Sequence, residues 1–295
     1  MSQALPAPPV PGLPVQWQDW LTGSIVKGAG DEQLLATMRE SGFDAHYARV
    51  AIGIIRSMTE RVQQSAPAML ADYQPDPIRI GDAPRRHVGD RQIRIGFVLL
   101  NPNIALIEGL LTDQECEKLM SLAAGRLKRS EVIVRSTGDN EVSDARTSDG
   151  MYFQRGENAI VERLEKRIAE LTGIPVDHGE GVQILRYGPG SQYLPHHDYF
   201  DPKDAGTPTI LKAGGQRVAT VVLYLNDVEA GGETVFPELE LSVKPQRGAA
   251  VYFEYHNRPG ALDARCLHGG APVVRGEKWI ATKWLRERPN VLPPA

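Results

Sequence analysis

Between residues 180 and 286 the chain is a succession of short segments rich in β-branched and aromatic residues, each closed by a turn signal. "GVQILRYGPG", "RVATVVLYLND", "GAAVYFEYH" and "KWIATKWL" are too short to be helices. Such segments bury their apolar faces only by pairing, so their spacing predicts a β-sandwich or barrel. The alternation of "RQIRIGFVLL" starts the strands at about residue 93.

Helices are expected around this core. Thr112 and Glu115 form a capping box ahead of a helix whose inner face is Leu119, Leu122 and Ala123. A second runs through Ile160, Leu164, Ile168 and Leu171 and stops at Gly173. Nearer the N-terminus, Asp31 can cap a helix carrying Leu34, Leu35 and Met38 that Gly42 ends, and Asp44 a helix through Ala48, Ile52 and Ile55. The fold class is therefore α+β with a mainly β core, flanking helices and an N-terminal helical appendage. Residues 1–15, with five prolines, read as a flexible tail, 16–65 as a helical hairpin, 66–92 as a Pro-, Asp- and Arg-rich linker, and 93–290 as the main domain. The hairpin is either a packing appendage or a module that recognises a protein partner.

Composition narrows the function classes. A net charge of −4 without a basic block argues against a nucleic-acid partner. No apolar run approaches the roughly 20 residues that span a bilayer, and the start of the chain lacks the pattern of a signal peptide. The two cysteines, Cys116 and Cys266, give no disulfide framework, so a cytoplasmic home is the simplest expectation.

The chemistry is concentrated in "PHHDYF", residues 195–200. In a strand, His196 and Asp198 project to one side and His197 to the other. One imidazole and one carboxylate on a common face suit a single metal, with a third ligand from elsewhere. Of the seven histidines, His268 lies in the β-rich half just before a turn and another strand. Two histidines and a carboxylate leave half an octahedron open, the facial triad of non-haem Fe(II) oxygenases. Further on, Lys278, Ile280, Thr282 and Trp284 share one strand face, while Trp279 and Lys283 point away.

The stretch "VQILRYGPGSQYLPHHDYF" resembles the catalytic domain of prolyl 4-hydroxylases, Fe(II)- and 2-oxoglutarate-dependent dioxygenases on a double-stranded β-helix or jelly roll. The likeness continues through "ARTSDGMYF", "GGQRVATVVLYLNDVEAGGETVFPE", "VKPQRGAAVYF" and "LHGGAPVVRGEKWIATKWLRE", in order over about residues 97–287. It implies His196, Asp198 and His268 as iron ligands. It implies Lys278 on the far carboxylate of 2-oxoglutarate, with Tyr187 and Thr234 as further co-substrate contacts. Arg146, Ser148 and Trp284 would face the substrate, and residues 201–215 would form a lid. The implied cofactors are Fe(II), 2-oxoglutarate and O2, with ascorbate as an accessory reductant. Asp198 excludes the halogenases of this superfamily, which lack that carboxylate.

The resemblance implies hydroxylation of proline within a peptide or protein. The same oxidant could act on a free amino acid or small metabolite, because the ligand set fixes the oxidant and not the molecule oxidised. A non-catalytic metal-bearing binding module is the reading from another class, and it leaves Lys278 without a purpose.

Overall fold

The computed structural model describes residues 13–64, 73–81, 83–133, 140–142 and 145–291. Most of the expected Pro-rich tail, residue 65 of the expected hairpin and residues 66–72 and 82 of the expected linker lie outside them.

Strand β10 (Arg217–Tyr224) is buried along its whole length. A strand in that position needs a layer against each face. It sits in the middle of a nine-stranded sheet of spatial order β1 (Arg85–Val88), β2 (Arg91–Leu100), β3 (Asn103–Glu108), β14 (Ala250–Glu254), β10, β17 (Lys278–Arg286), β8 (Val182–Tyr187), β7 (Asp149–Phe153) and β4 (Lys128–Arg129). A four-stranded sheet runs β13 (Leu241–Val243), β12 (Thr234–Phe236), β15 (His268–Gly270), β9 (Tyr193–His196). Two ribbons complete the strands: β11 (Ala230–Gly231) with β16 (Val273–Arg275), and β5 (Glu131–Ile133) with β6 (Asn140–Val142). The strand pairings are antiparallel.

Alternation along β10 sorts the layers. Val221 and Leu223 join Leu119 of α4 (Asp113–Ala124) and Leu164 and Ile168 of α5 (Ala159–Thr172) in one apolar cluster. Val222 and Tyr224 join Phe236 and Val243 of the smaller sheet in another. On β17, Ala281 and Leu285 face the helices and Ile280 faces the smaller sheet. Lys283 goes to the helical side, as its parity predicts, and is buried there against Glu165 of α5 at 2.5 Å.

Several local signals act as expected. Thr112 and Glu115 form a reciprocal capping box on α4. Asn158 caps α5, which ends at Gly173 in the left-handed conformation (φ 69°) that glycine adopts without a Cβ clash. Others differ. Leu122 is 36% exposed, because α4 buries the stripe Cys116, Leu119, Ala123 and Leu122 lies past its edge. Strand β1 falls within the expected linker and pairs with β2 as a charged edge strand.

The N-terminal region holds three helices: α1 (Val15–Val26), α2 (Asp31–Glu40) and α3 (Ala45–Gln64). Asp44 caps α3 through the amides of His46 and Tyr47. Asp31 lies one residue inside α2 and pairs with Arg56 of α3 at 2.6 Å instead of capping. The added helix α1 is held by tertiary contacts. Trp17 meets Trp20 and Phe43 edge-on, and Leu21 and Ile25 enter a cluster with Met38, Ile52 and Ile55. Among the described residues no helix is long and apolar enough to cross a membrane.

Candidate active site

Strands β9 and β15 pair so that His196 stands directly opposite His268, with ring centroids 4.4 Å apart. β9 ends at His196, and the chain bends to bring Asp198 onto both rings. Strand alternation therefore selects the right partner, although Asp198 itself lies beyond the strand. Asp198 Oδ1 is 3.5 Å from His196 Nε2, and Asp198 Oδ2 is 3.4 Å from His268 Nε2. Among the described residues these three form a group whose ligand atoms all lie within 4.8 Å of one another.

The donor set suits a divalent metal. His196 Nδ1 lies 3.0 Å from the Leu194 carbonyl and His268 Nδ1 3.1 Å from the Cys266 carbonyl. A carbonyl only accepts, so each Nδ1 carries the proton and each Nε2 turns its lone pair to the cluster. Burial lowers the pKa of His268 to about 3, against the pull of Asp198, so its imidazole is neutral near pH 7. Burial works against the Asp198 anion, yet its polar and charged neighbours, Arg217 among them, hold the carboxyl well below its ordinary range. Asp198 is also oriented: the buried Thr220 hydroxyl donates to Oδ2 at 2.7 Å, and the Tyr255 hydroxyl lies 3.0 Å from Thr220. His197 turns away, with Nε2 2.9 Å from the Ala264 carbonyl, as its parity predicts.

Two environments meet at this cluster. One is a cleft of 980 Å³ that His196, Asp198, Arg146, Arg217 and Trp284 all line. Arg217 binds Glu180 through two hydrogen bonds of 2.7 and 2.8 Å, and its guanidinium lies over Trp284 and Phe200. Arg146 donates to Gln183 at 2.8 Å and covers the ring of Tyr193, which stacks on His196 at 3.7 Å. Ser148 is not brought to the cleft: it has no exposed surface, and its hydroxyl donates to Ser130. The expected lid borders the same cleft through Asp201, Asp204, Thr207 and Ile210, and it carries the short helix α6 (Thr207–Ile210).

The other environment lies between the sheets. Lys278 is opposite Tyr187 in the β17–β8 register, and its ammonium lies 5.6 Å from the centre of that ring and 5.9 Å from that of Tyr224. Burial lowers the Lys278 pKa to about 8, with only Glu233 opposing the shift. Thr234 is buried, and its hydroxyl accepts from Tyr224 at 2.8 Å. A Cβ on Gly270, two residues after His268, would come within 3.7 Å of the Lys278 ammonium.

Thr220, Tyr255, Glu180, Arg217 and Tyr193 were not identified from the sequence. Tyr193 lies on β9 three residues before His196, whereas the other four reach the cluster from parts of the chain distant from Asp198, where no local spacing marks them.

Known proteins give the same picture. The profile of the 2OG-Fe(II) oxygenase superfamily matches residues 182–286. The probable prolyl 4-hydroxylase 3 of Arabidopsis thaliana is 45% identical over 204 residues, 62% of this chain and 69% of that protein. Prolyl 4-hydroxylase 1 of the same plant is 41% identical over 249 residues, 79% of this chain and 83% of that one. Among solved structures, the viral collagen prolyl hydroxylase of Paramecium Bursaria Chlorella virus-1, in its 2OG complex, is 31% identical with a TM-score of 0.50, covering 62% of this chain and 95% of that one.

Proposed function

Given that the chain belongs to the prolyl 4-hydroxylase family of Fe(II)- and 2-oxoglutarate-dependent oxygenases, we propose that it hydroxylates prolyl residues held in a peptide or protein chain. The observation that carries this reading is the cluster of His196, Asp198 and His268 at the meeting of an open cleft and a closed, cation-bearing interior.

The three ligands would hold Fe(II). Together with 2-oxoglutarate and O2, the metal supplies an oxidative decarboxylation to succinate and CO2 coupled to hydroxylation. The protein's residues do the rest. Lys278 would meet the far carboxylate of 2-oxoglutarate as a cation in a dry pocket, where a charge-assisted bond is strong. Tyr187 and Thr234 would border that pocket, and the rings of Tyr187 and Tyr224 beside the ammonium would keep water from it. Thr220 holds the Asp198 carboxylate in one orientation, and the Leu194 and Cys266 carbonyls hold both imidazoles in one tautomer. Arg146 and Trp284 would face the substrate across the cleft, and residues 201–215 would cover it.

The facing sheets are read as a double-stranded β-helix spanning 93–290, with 16–65 as a helical appendage and 66–92 as the connection. Peptide hydroxylation needs room for a chain to enter and leave, and a cleft of 980 Å³ open along one side of the ligand cluster offers it. Succinate release with Fe(II) and 2-oxoglutarate should rise with proline peptides and stay at background with free amino acids. Stimulation by free proline alone would reverse the assignment.

A further inference from the structure

Strand β9 is the edge of the smaller sheet, and it carries His196. An open edge would leave backbone groups unpaired and the strand free to shift. Here residues 145–147 pair with it, the Leu194 N–H donating to the Ala145 carbonyl at 2.9 Å and the Thr147 N–H to the Gln192 carbonyl at 3.0 Å, and the N-terminal helices pack against it. His46, in the first turn of α3, brings Nε2 to 3.2 Å from the Gly190 carbonyl just ahead of β9. Leu194, within β9, packs into the hydrophobic cluster of α1–α3. The Leu194 carbonyl is the group that fixes His196 Nδ1, so the helices seat the strand that aims a metal ligand.

The same residues reach the cleft. Leu194 lines it as well as belonging to the helical cluster. Ser57, about three turns beyond His46 along α3, also lines it and is half-buried, its hydroxyl donating to the Ile54 carbonyl at 3.0 Å. A small side chain that makes only a local bond keeps that wall low. The viral enzyme is matched over 95% of its length but covers 62% of this chain, so more than a third of this chain lies outside that match.

We propose that α3 is one wall of the substrate groove, with Ser57 against the bound peptide, and that the N-terminal helices thereby help select which chains are accepted. This rests on the peptide reading above. It gives the helices a role in the reaction beyond packing, and the partner of this face is the substrate itself.

Two variants test it in the full-length protein. Ser57→Cys places a thiol at the wall, while the native Cys116 and Cys266 are buried and should react slowly. With Mn(II) and 2-oxoglutarate bound, a proline-rich substrate peptide should slow alkylation of the new thiol several-fold, whereas Mn(II) and 2-oxoglutarate alone should not. Ser57→Trp should lower kcat/KM for that peptide by about tenfold or more, mainly through KM. Its melting temperature and its peptide-free succinate release should match the unsubstituted enzyme. An alkylation rate indifferent to peptide overturns the wall, as does a Trp variant with unchanged peptide kcat/KM. If Ser57→Trp does not fold, the alkylation result decides alone. Hydroxylation of free proline only, by the unsubstituted enzyme, would overturn the peptide reading and the wall with it, and is distinguished because no variant is needed to see it.

Discussion

Two buried cations, Arg217 beside Asp198 and Lys278 beside β15, are treated in opposite ways. Arg217 is fully engaged, forked onto Glu180 and stacked on two aromatic rings. Lys278 is 3% exposed and, among the described residues, has no carboxylate within 4.0 Å. A buried charge left unpaired costs stability that a paired one recovers, so the proposed anion site falls on Lys278 and not on Arg217. In the proposed function the interior between the sheets would take the small dianion. The cleft, where Arg217 is already paired, would take the larger ligand by shape and hydrogen bonds.

The comparison breaks at its root if the cluster between the two cations holds no metal. His196→Ala, Asp198→Ala and His268→Ala should each lower turnover by more than about 100-fold, beyond the 10–100-fold typical of losing an outer partner. His197→Ala should keep most activity, since its ring turns away. Loss of Fe(II) binding in the His197 variant alone would move the site by one residue.

The next effect separates the two cations. Lys278→Ala should weaken 2-oxoglutarate binding by roughly 2–5 kcal/mol while metal binding persists, read by calorimetry with Mn(II). Unchanged affinity would place the anchor on another cation and remove the contrast.

Support of the ligands should matter less. Thr220→Val removes the donor to Asp198 while nearly keeping volume, and should weaken Co(II) binding by about 10–100-fold, with a changed Co(II) absorption spectrum. Thr220→Ser should restore most of the affinity. Equal affinities in all three proteins would show that the Asp198 carboxylate orients itself.

The smallest effect is a pH dependence. In the free protein the Lys278 ammonium loses its proton near pH 8, and the dianion needs the charged form. Below that pH the proton is already present and affinity should be flat. Above it a proton must be taken up on binding, so affinity should fall by up to about tenfold per pH unit. A flat affinity to about pH 9.5 would show a lysine that keeps its charge without the ligand.

The sequence made some of this legible. The grouping of His196, Asp198 and His268 and the inward side of Lys278 could be read because strand parity and block order are local properties, and the bend after His196 left the pairing intact. The capping box at Thr112 and the stop at Gly173 were legible for the same reason. Helix α1 was not. Its stability comes from Trp17 against Phe43 and Leu21 against α3, contacts that no window along the chain contains. The brace from Thr220 to Asp198 and the fork from Arg217 to Glu180 join residues 22 and 37 positions apart, and β-pairing alone creates them. Ser148 shows the reverse: its motif suggested a substrate contact, yet the fold buries its hydroxyl on Ser130.

The most direct test of the central claim follows the oxygen atoms. With isotopically labelled O2, Fe(II), 2-oxoglutarate and a proline-rich peptide, mass spectrometry should find one labelled atom in succinate and one on a prolyl ring for each turnover. Labelled succinate with no label on any peptide, alongside labelled hydroxyproline from the free amino acid, would contradict the account.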